Sequence, residues 1–341
     1  MVRVMKLMAE RIGTMVAAVD QTRARERNRG RNADNPRGIP LQGWKDVAWR
    51  VFHSVEEHRL GLIAAGVTFY VILALFPALT ALVSVYGLLT DPRSIGQQMT
   101  NLYLVLPEEA IVLIRGQLDA LTNAPPAKLG FGFVVSLLVA MWSVNNAVKA
   151  VFEGFNITYR EREKRGIFRL NGVSFAFAMG GIVMAMMYMI AIAVVPLVLN
   201  FIGFGVVAEM LIRFVRWPIL MVLSALAIAL LNRYGPSREY ARWSWVTPGS
   251  LFVMAAWVVM SSAFSIYLSN FANYDKTYGA LGTAIAVMVW VWLSTFILLV
   301  GAAVNAETEH QTARDSTTGK PKPMGKRGAT MADTVGKKRG R

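Results

Sequence analysis

Long apolar runs dominate the pattern of hydrophobic and polar positions along this chain of 341 residues. An α-helix needs about 20 apolar residues to cross a hydrocarbon core roughly 30 Å thick, and each run reaches that length. A soluble core helix of this length would carry a polar stripe at 3.6-residue spacing, which the runs largely lack. The pattern predicts an all-α polytopic membrane protein with six transmembrane helices. The predicted spans are residues 62–90, 128–152, 172–199, 208–232, 247–271 and 280–306.

Shorter amphipathic segments accompany the spans. Trp44, Val47, Val51 and Val55 recur at helical spacing, which predicts an interfacial helix on the inner leaflet. A plain extension of the first span is the alternative interpretation. A second amphipathic helix is expected on the outer surface from Pro107, because proline and acidic residues favour the first turn of a helix.

Basic residues crowd into alternate connections between the runs. Five Lys or Arg residues fall between residues 160 and 169, whereas residues 200–208 contain none. Connections rich in Lys and Arg stay on the cytoplasmic side of a membrane. The pattern therefore predicts a multi-pass protein of the bacterial cytoplasmic (inner) membrane with both termini in the cytoplasm.

The two ends of the chain differ in composition from the middle. Residues 1–43 form a basic segment expected to be mostly disordered and cytoplasmic, and residues 310–341 form a disordered basic cytoplasmic tail. Residues 44–309 form the predicted six-span membrane domain.

The formal net charge of +15 belongs mostly to these tails and short connections. Basic residues beside apolar runs favour attraction to anionic lipid headgroups at the cytoplasmic face over a nucleic-acid partner. The predicted partners are therefore membrane lipids, with no nucleic acid; the oligomeric state is left open. The chain has no cysteine, three scattered histidines and no phosphate-binding glycine loop. We therefore expect no metal and no cofactor, and these absences argue against thiol, metal-dependent and ATP-driven catalysis. They leave a serine or carboxylate enzyme open, although the prediction is that the protein is not an enzyme.

Polar residues inside the second span form the first candidate site. Asn145, Lys149 and Glu153 are spaced four residues apart and share one helix face, which is costly to expose to lipid. Asn305 and Glu307 end the sixth span on the same side of the membrane. Lys149 is therefore expected to meet Glu153 or Glu307. The cluster is interpreted either as part of a substrate or ion path or as a structural staple between two spans.

The fourth span opens with the second candidate site, on the predicted outer side. Glu209 and Arg213 form a helical pair four residues apart, and Arg216 follows about one turn deeper. The two interpretations are an anion site and arginines that extend to the outer headgroups.

Four segments carry a resemblance to a known family. They are AAGVTFYVILALFPALTALVSVYGLL (64–89), NITYREREKRGIFR, TPGSLFVMAAWVVMSSAFSIYLSNFANYDKTYGALG (247–282) and WVWLSTFILLVGAAVNAE (290–307). Pro-Gly, Phe-x-x-Tyr, Tyr-Gly-x-Leu-Gly and Gly-Ala-x-x-Asn-Ala-Glu elements follow in order. From about Trp44 to Glu309 the chain resembles the YihY/BrkB family of bacterial inner-membrane proteins. The resemblance implies six spans and links the chain by name to virulence and serum resistance. It also brings an older ribonuclease BN label, but no catalytic motif.

Three functions follow, in order of preference. The first is an inner-membrane protein that transports a substrate or handles envelope lipids, supported by the intramembrane polar residues. The second is a membrane scaffold for envelope partners, supported by the tails and interfacial helices. The third is the ribonuclease of the older label, which the lack of clustered metal ligands argues against.

Overall fold

The computed structural model describes residues 21–89, 126–191, 206–270 and 280–340. The expected outer helix at Pro107 lies outside these ranges. A short 3-10 helix, Pro36–Gly38, precedes the α-helices. The α-helices are α1 (Leu41–Glu57), α2 (Leu60–Leu89), α3 (Pro126–Thr158), α4 (Ile167–Met189), α5 (Val206–Tyr234), α6 (Trp243–Asn270), α7 (Ala280–Glu309) and α8 (Thr330–Asp333).

Four of the described helices, α4 to α7, are long and apolar enough to cross a membrane. A fifth span results if α1 and the Leu60–Leu75 part of α2, which meet at a 60° bend, are counted as one broken span. The first two predicted spans correspond to α2 and α3, which have 30 and 33 residues. The prediction of an all-helical membrane protein is confirmed, and the count of six spans stays a prediction.

Helix α7 lies at the centre of the packing near its carboxyl end, where α1, α2, α3 and α6 contact it. Ala302, Ala303 and Ala306 on α7 are buried, and such small side chains let neighbouring helix backbones come close. The tightest approach is to α6: a Cβ atom on Gly249 would strike the carbonyl oxygen of Gly301. Glycine at this position is therefore a packing requirement of the α6–α7 pair.

Both tails and two connections fold together at the end of the bundle where α7 finishes. We call this region the polar domain; it comprises residues 21–59, 159–166, 235–242 and 310–340. Thr312 ties the two tails together, since its hydroxyl donates hydrogen bonds to the carbonyl oxygens of Ala33 (2.7 Å) and Arg31 (3.3 Å). The C-terminal tail also reaches the connection after α3, where the Thr330 amide donates to the Glu161 carboxylate at 2.6 Å.

The described residues of both tails are folded, which differs from the disorder expected for them. Residues 21–43 and 310–340 are ordered and packed, although few of them are apolar. Composition predicts disorder when a segment cannot bury enough apolar surface. Here the tails are held mainly by side chains that hydrogen-bond to backbone groups of other segments, as when Arg31 donates to the carbonyl oxygens of Gln311 and Gly336.

Helix α1 exists as predicted, but its apolar face packs on the protein. Val47 is only 2% exposed. Val51 and Val55 pack against the buried apolar cluster around α7. Trp44 packs on a second buried cluster that contains Trp245. These contacts show what part of the apolar face packs on, and the position of α1 on the inner leaflet stays a prediction. Val51 and Val55 meet the cluster around α7 and Trp44 meets the cluster that contains Trp245, and no local pattern reveals either contact.

Candidate functional site

The predicted contact between Lys149 and Glu307 is not formed. Glu307 is 1% exposed and pairs with Arg50 of α1, with 2.5 Å between its Oε2 and the arginine Nε. His310 Nδ1 lies 3.3 Å from the same oxygen. Within the described ranges, neither Lys149 nor Glu153 has an ion-pair partner. The sequence missed Arg50 because 257 residues separate it from Glu307.

The remaining α3 residues of the cluster lie toward α4. Asn145 Nδ2 donates to Asn171 Oδ1 at 3.1 Å, and Asn171 Nδ2 in turn donates to the Ile167 carbonyl oxygen at 2.9 Å. Lys149, one turn closer to the polar domain, is half-buried, and Glu153 is exposed. Asn145 therefore joins α3 to α4, while Lys149 presents a cation without a counter-ion among the described side chains. A functional role of these residues stays a prediction.

Asn305 occupies the tight contact between α6 and α7. It is fully buried, and its Oδ1 accepts a hydrogen bond of 2.6 Å from the Gly249 amide. A Cβ atom on Gly249 would lie 2.6 Å from the amide group of Asn305. This geometry gives Asn305 a role in joining the two helices.

On the predicted outer side, the structure describes the side chain of Arg216 but not those of Glu209 and Arg213. Arg216 Nη1 donates to the Ala191 carbonyl oxygen at 3.1 Å, and its guanidinium lies 5.3 Å from the centre of the Trp217 ring. Arg216 thus contacts the chain just beyond α4. The anion site formed by all three residues stays a prediction.

A second buried ion pair lies at the end of α7, where sequence analysis found no candidate. Arg238 binds Glu309 with both terminal nitrogens, at 3.1 and 2.7 Å, and the Ser316 hydroxyl donates to the same carboxylate at 2.8 Å. Burial alone would lower the pKa of Arg238, but the neighbouring Glu309 carboxylate outweighs this effect and raises the pKa. Acids at a helix carboxyl end oppose the helix dipole. That signal predicts nearby cations but does not identify them.

The connection between α3 and α4 is held by a third ion pair. Arg165 donates to both carboxylate oxygens of Glu163, at 2.8 and 2.7 Å, and Asn156 donates at 3.1 Å. Burial raises the pKa of Glu163, but these hydrogen bonds outweigh burial and bring the pKa from 4.5 to about 2. Arg165 also donates to the carbonyl oxygens of Tyr234 and Gly235. The pair therefore joins this connection to the end of α5.

An apolar groove lies between α2 and α7; we call it the lateral groove. Its volume is about 420 Å³. The Thr68 hydroxyl, its one polar side chain besides the Trp292 indole, donates to the Ala64 carbonyl oxygen of its own helix at 2.8 Å. The Trp292 indole nitrogen donates to the Gly61 carbonyl oxygen at 2.9 Å. The lining residues are Ala65, Thr68, Phe69, Ile72, Leu73, Met288, Val289 and Trp292.

The described residues contain no group of three or more His, Asp or Glu side chains that could hold a metal ion. The candidate sites described above are the buried ion pairs at the polar domain, the half-buried ammonium of Lys149 on α3 and the apolar lateral groove.

Comparison with known proteins agrees with this picture. The model of the virulence factor BrkB family matches residues 51–325. The ribonuclease-like protein YfkH of Bacillus subtilis (strain 168) is 26% identical over 248 residues, which cover 71% of this chain and 88% of YfkH. UPF0761 membrane proteins of Albidiferax ferrireducens and Verminephrobacter eiseniae are 23% and 26% identical over 269 and 273 residues. Each match covers 77% of this chain and 62% of the relative's length.

No solved structure matches the chain. The ribonuclease-like name belongs to YfkH, and the UPF0761 names describe those relatives only as membrane proteins. The family model covers most of the chain, including the described parts of all the helices that are apolar enough to span a membrane. The resemblance seen in the sequence is thus confirmed, and the chain belongs to the BrkB virulence factor family of membrane proteins.

Proposed function

We propose that this protein handles lipids of the bacterial envelope within the inner membrane, binding an acyl chain in the lateral groove. The observation that carries the proposal is the groove itself. It lies between two helices, its lining is almost entirely apolar, and its volume falls in the range of about 300 to 1,000 Å³ that is usual for ligand sites.

The physics of such a site differs from that of a pocket in water. A lipid chain that moves from the bilayer into the groove gains no hydrophobic free energy, because both surroundings are apolar. Binding then depends on packing against side chains such as Phe69, Met288 and Trp292. The groove is expected to select for chain shape and to release lipid readily, as a protein that moves lipid requires.

Lys149 on α3 is the proposed headgroup contact. A half-buried ammonium in a membrane helix needs a counter-charge, and no described side chain supplies one. The phosphate of a lipid in transit would supply it. In the orientation predicted from the basic connections, the polar domain and both termini face the cytoplasm. At normal abundance, Lys149→Met should then abolish function, and normal complementation by this variant would remove Lys149 from the proposal.

A path for a small ion through the predicted cluster has less support. Such a path would need Lys149 and Glu307 to share a cavity, but Glu307 is held by Arg50 inside the polar domain. A ribonuclease also has little support, since the described residues present no metal-ligand group.

A membrane scaffold is the second candidate. The observation that favours it is the folded polar domain, which presents basic side chains such as Arg37, Lys45 and Lys320 to solvent. A scaffold would hold its partners through this surface and would move no lipid when reconstituted alone.

The test of lipid handling uses two neighbouring positions on α2. Ala65 lines the groove, whereas a side chain at Gly66 would meet nothing within 4 Å. The Ala65→Trp variant should fill the groove, and the Gly66→Trp variant adds the same bulk on an open surface. Each is reconstituted in liposomes that contain a phospholipid with a photoactivatable acyl chain and a fluorescent phospholipid in one leaflet.

We expect the unsubstituted protein and Gly66→Trp to be photolabelled and to accelerate exchange of the fluorescent lipid between leaflets. Ala65→Trp should lose most of both signals while its melting temperature stays close to that of Gly66→Trp. If the unsubstituted protein moves no lipid and both variants label equally, lipid handling is refuted and the scaffold is favoured.

A further inference from the structure

Several arginines in the described ranges stack on aromatic rings, and one differs from the rest. Arg165, Arg216 and Arg238 each also donate a hydrogen bond to an oxygen of the protein. Arg233 stacks on two rings, yet no described group accepts a hydrogen bond from it, and its Nε and Nη1 atoms are buried without a partner. Among these four arginines, Arg233 is therefore the one whose N–H groups donate no hydrogen bond to a described group.

The position of Arg233 is at the edge of the apolar band. It lies in the last turn of α5, and Trp243 opens α6; these are the ends of two of the candidate membrane spans. The guanidinium carbon lies 4.4 Å from the centre of the Trp243 ring and 5.5 Å from that of Tyr234. Trp243 is 45% exposed, so the site lies at the surface of the protein. This is the depth at which lipid phosphates meet a membrane protein.

The charges around the site leave the guanidinium uncompensated. No described carboxylate lies within ion-pair distance of Arg233. Acids on the adjoining segments pair with other cations: Glu163 with Arg165, Glu309 with Arg238, and Glu239 with Lys322 at 3.9 Å. Arg242, another neighbour in sequence, donates from its Nε to the Thr317 carbonyl oxygen at 3.0 Å. A partly buried cation without a carboxylate needs an anion from outside the chain.

The geometry selects the kind of anion. Aromatic rings hold the plane of a guanidinium. Nη2 is the Arg233 nitrogen that is not buried, so it is the donor that meets an anion from outside, and a phosphate oxygen accepts such a charge-assisted hydrogen bond. We propose that Arg233, held by Trp243 and Tyr234, binds the phosphate of a membrane phospholipid at the α5–α6 end. This site is separate from the lateral groove, so it stands or falls independently of the proposed function.

The test compares Arg233→Gln with Arg169→Gln in the full chain. Arg169 is an exposed arginine near the same end, at the start of α4, so both variants lose one positive charge. Native mass spectrometry in detergent measures binding of phosphatidylglycerol and of diacylglycerol, which lacks the phosphate. Arg233→Gln should weaken phosphatidylglycerol binding about tenfold, as expected for one lost charge-assisted contact, and leave diacylglycerol binding unchanged. Arg169→Gln should change neither.

Arg233→Lys keeps the charge but loses the planar guanidinium that the two rings hold, so it should fold normally and bind phosphatidylglycerol with intermediate affinity. Equal loss in the Arg233 and Arg169 variants would reduce the effect to general charge attraction and overturn the proposal. Displacement of the lipid by millimolar inorganic phosphate, with no preference for the lipid, would assign the site to soluble phosphate and also overturn it.

Discussion

The buried pair between Arg50 and Glu307 offers the sharpest test of how the polar domain is held. Replacing Glu307 with Met removes the 2.5 Å contact but leaves Arg50 with three other acceptors. These are the Gln311 Oε1 at 2.7 Å, the Lys337 carbonyl oxygen at 2.8 Å and the main-chain carbonyl oxygen of position 307 at 2.9 Å. Replacing Arg50 with Met instead leaves the Glu307 carboxylate buried, with only His310 beside it. The second change should therefore be the more damaging.

The magnitudes follow from burial. Removing one partner of a buried pair costs roughly 3 to 5 kcal/mol, because the other charge is left without compensation. We expect about 3 kcal/mol for Glu307→Met and about 4 kcal/mol for Arg50→Met. The double variant leaves no buried charge from this pair, so it should cost less than the sum of the two, by about 2 kcal/mol or more.

Native-state proteolysis measures this cost directly. Residues 310–340 contain several Lys and Arg, and they become cleavable by trypsin when the tail detaches from the polar domain. When opening and closing are fast, the cleavage rate follows the population of the open form. A loss of 3 kcal/mol should raise this rate about 100-fold, at tenfold per 1.4 kcal/mol. Neither single variant removes a trypsin cleavage site within residues 310–340.

The matched control is the exposed pair of Arg160 and Glu57, whose charged atoms are 3.8 Å apart. Exposed pairs contribute about 0 to 1 kcal/mol, so Glu57→Met should change the rate by less than about fivefold. If the effects of Arg50→Met and Glu307→Met add without coupling, the two charges do not compensate each other and the reasoning fails.

Three further predictions test other parts of the molecule. Because the pKa of Glu163 is lowered to about 2, its ionised form stabilises the folded state; this stability should be lost as pH falls from about 4.5 toward 2, and Glu163→Gln should flatten that part of a melting profile. Gly249→Ala should destabilise the protein by about 1 to 3 kcal/mol by overpacking α6 against α7, whereas Gly180→Ala, which meets nothing within 4 Å, should not; equal melting temperatures would contradict the packing. For orientation, a cysteine at Arg162 should be shielded from an impermeant thiol reagent in vesicles of native orientation and one at Asn101 labelled, and the reverse pattern would invert the topology.

The sequence predicted the membrane helices well because each is encoded locally. The predicted fourth span began at residue 208, and α5 begins at Val206; the predicted sixth span began at residue 280, where α7 begins. Length and apolar composition decide such elements, and neither depends on a distant partner. The larger difference is at α4, which begins at Ile167, five residues before the predicted start, because Gly166 is in extended conformation and starts the helix there.

The candidate site was harder to predict because its contacts join distant segments. Lys149 and Glu307 were matched by depth in the membrane, but Arg50, which lies far away in sequence, reaches Glu307 first. Arg238 and Glu309 are 71 residues apart, and no spacing rule connects them. The sequence shows acidic residues at the carboxyl end of α7, where they oppose the helix dipole and favour nearby cations. Which of the many arginines supply them depends on how the tails fold back.

The last turns of α7 and the lateral groove point to different routes for any ligand. Glu307 and Glu309 are bound by arginines from two separate segments of the polar domain, so passage along the end of α7 would break two buried pairs at a cost of several kcal/mol each. The lateral groove is lined by apolar residues of two membrane helices, and its occupation breaks no ion pair. A ligand that arrives from the bilayer therefore meets the lower barrier. That difference, more than any single residue, is why a lipid is a better candidate than a soluble ion or metabolite.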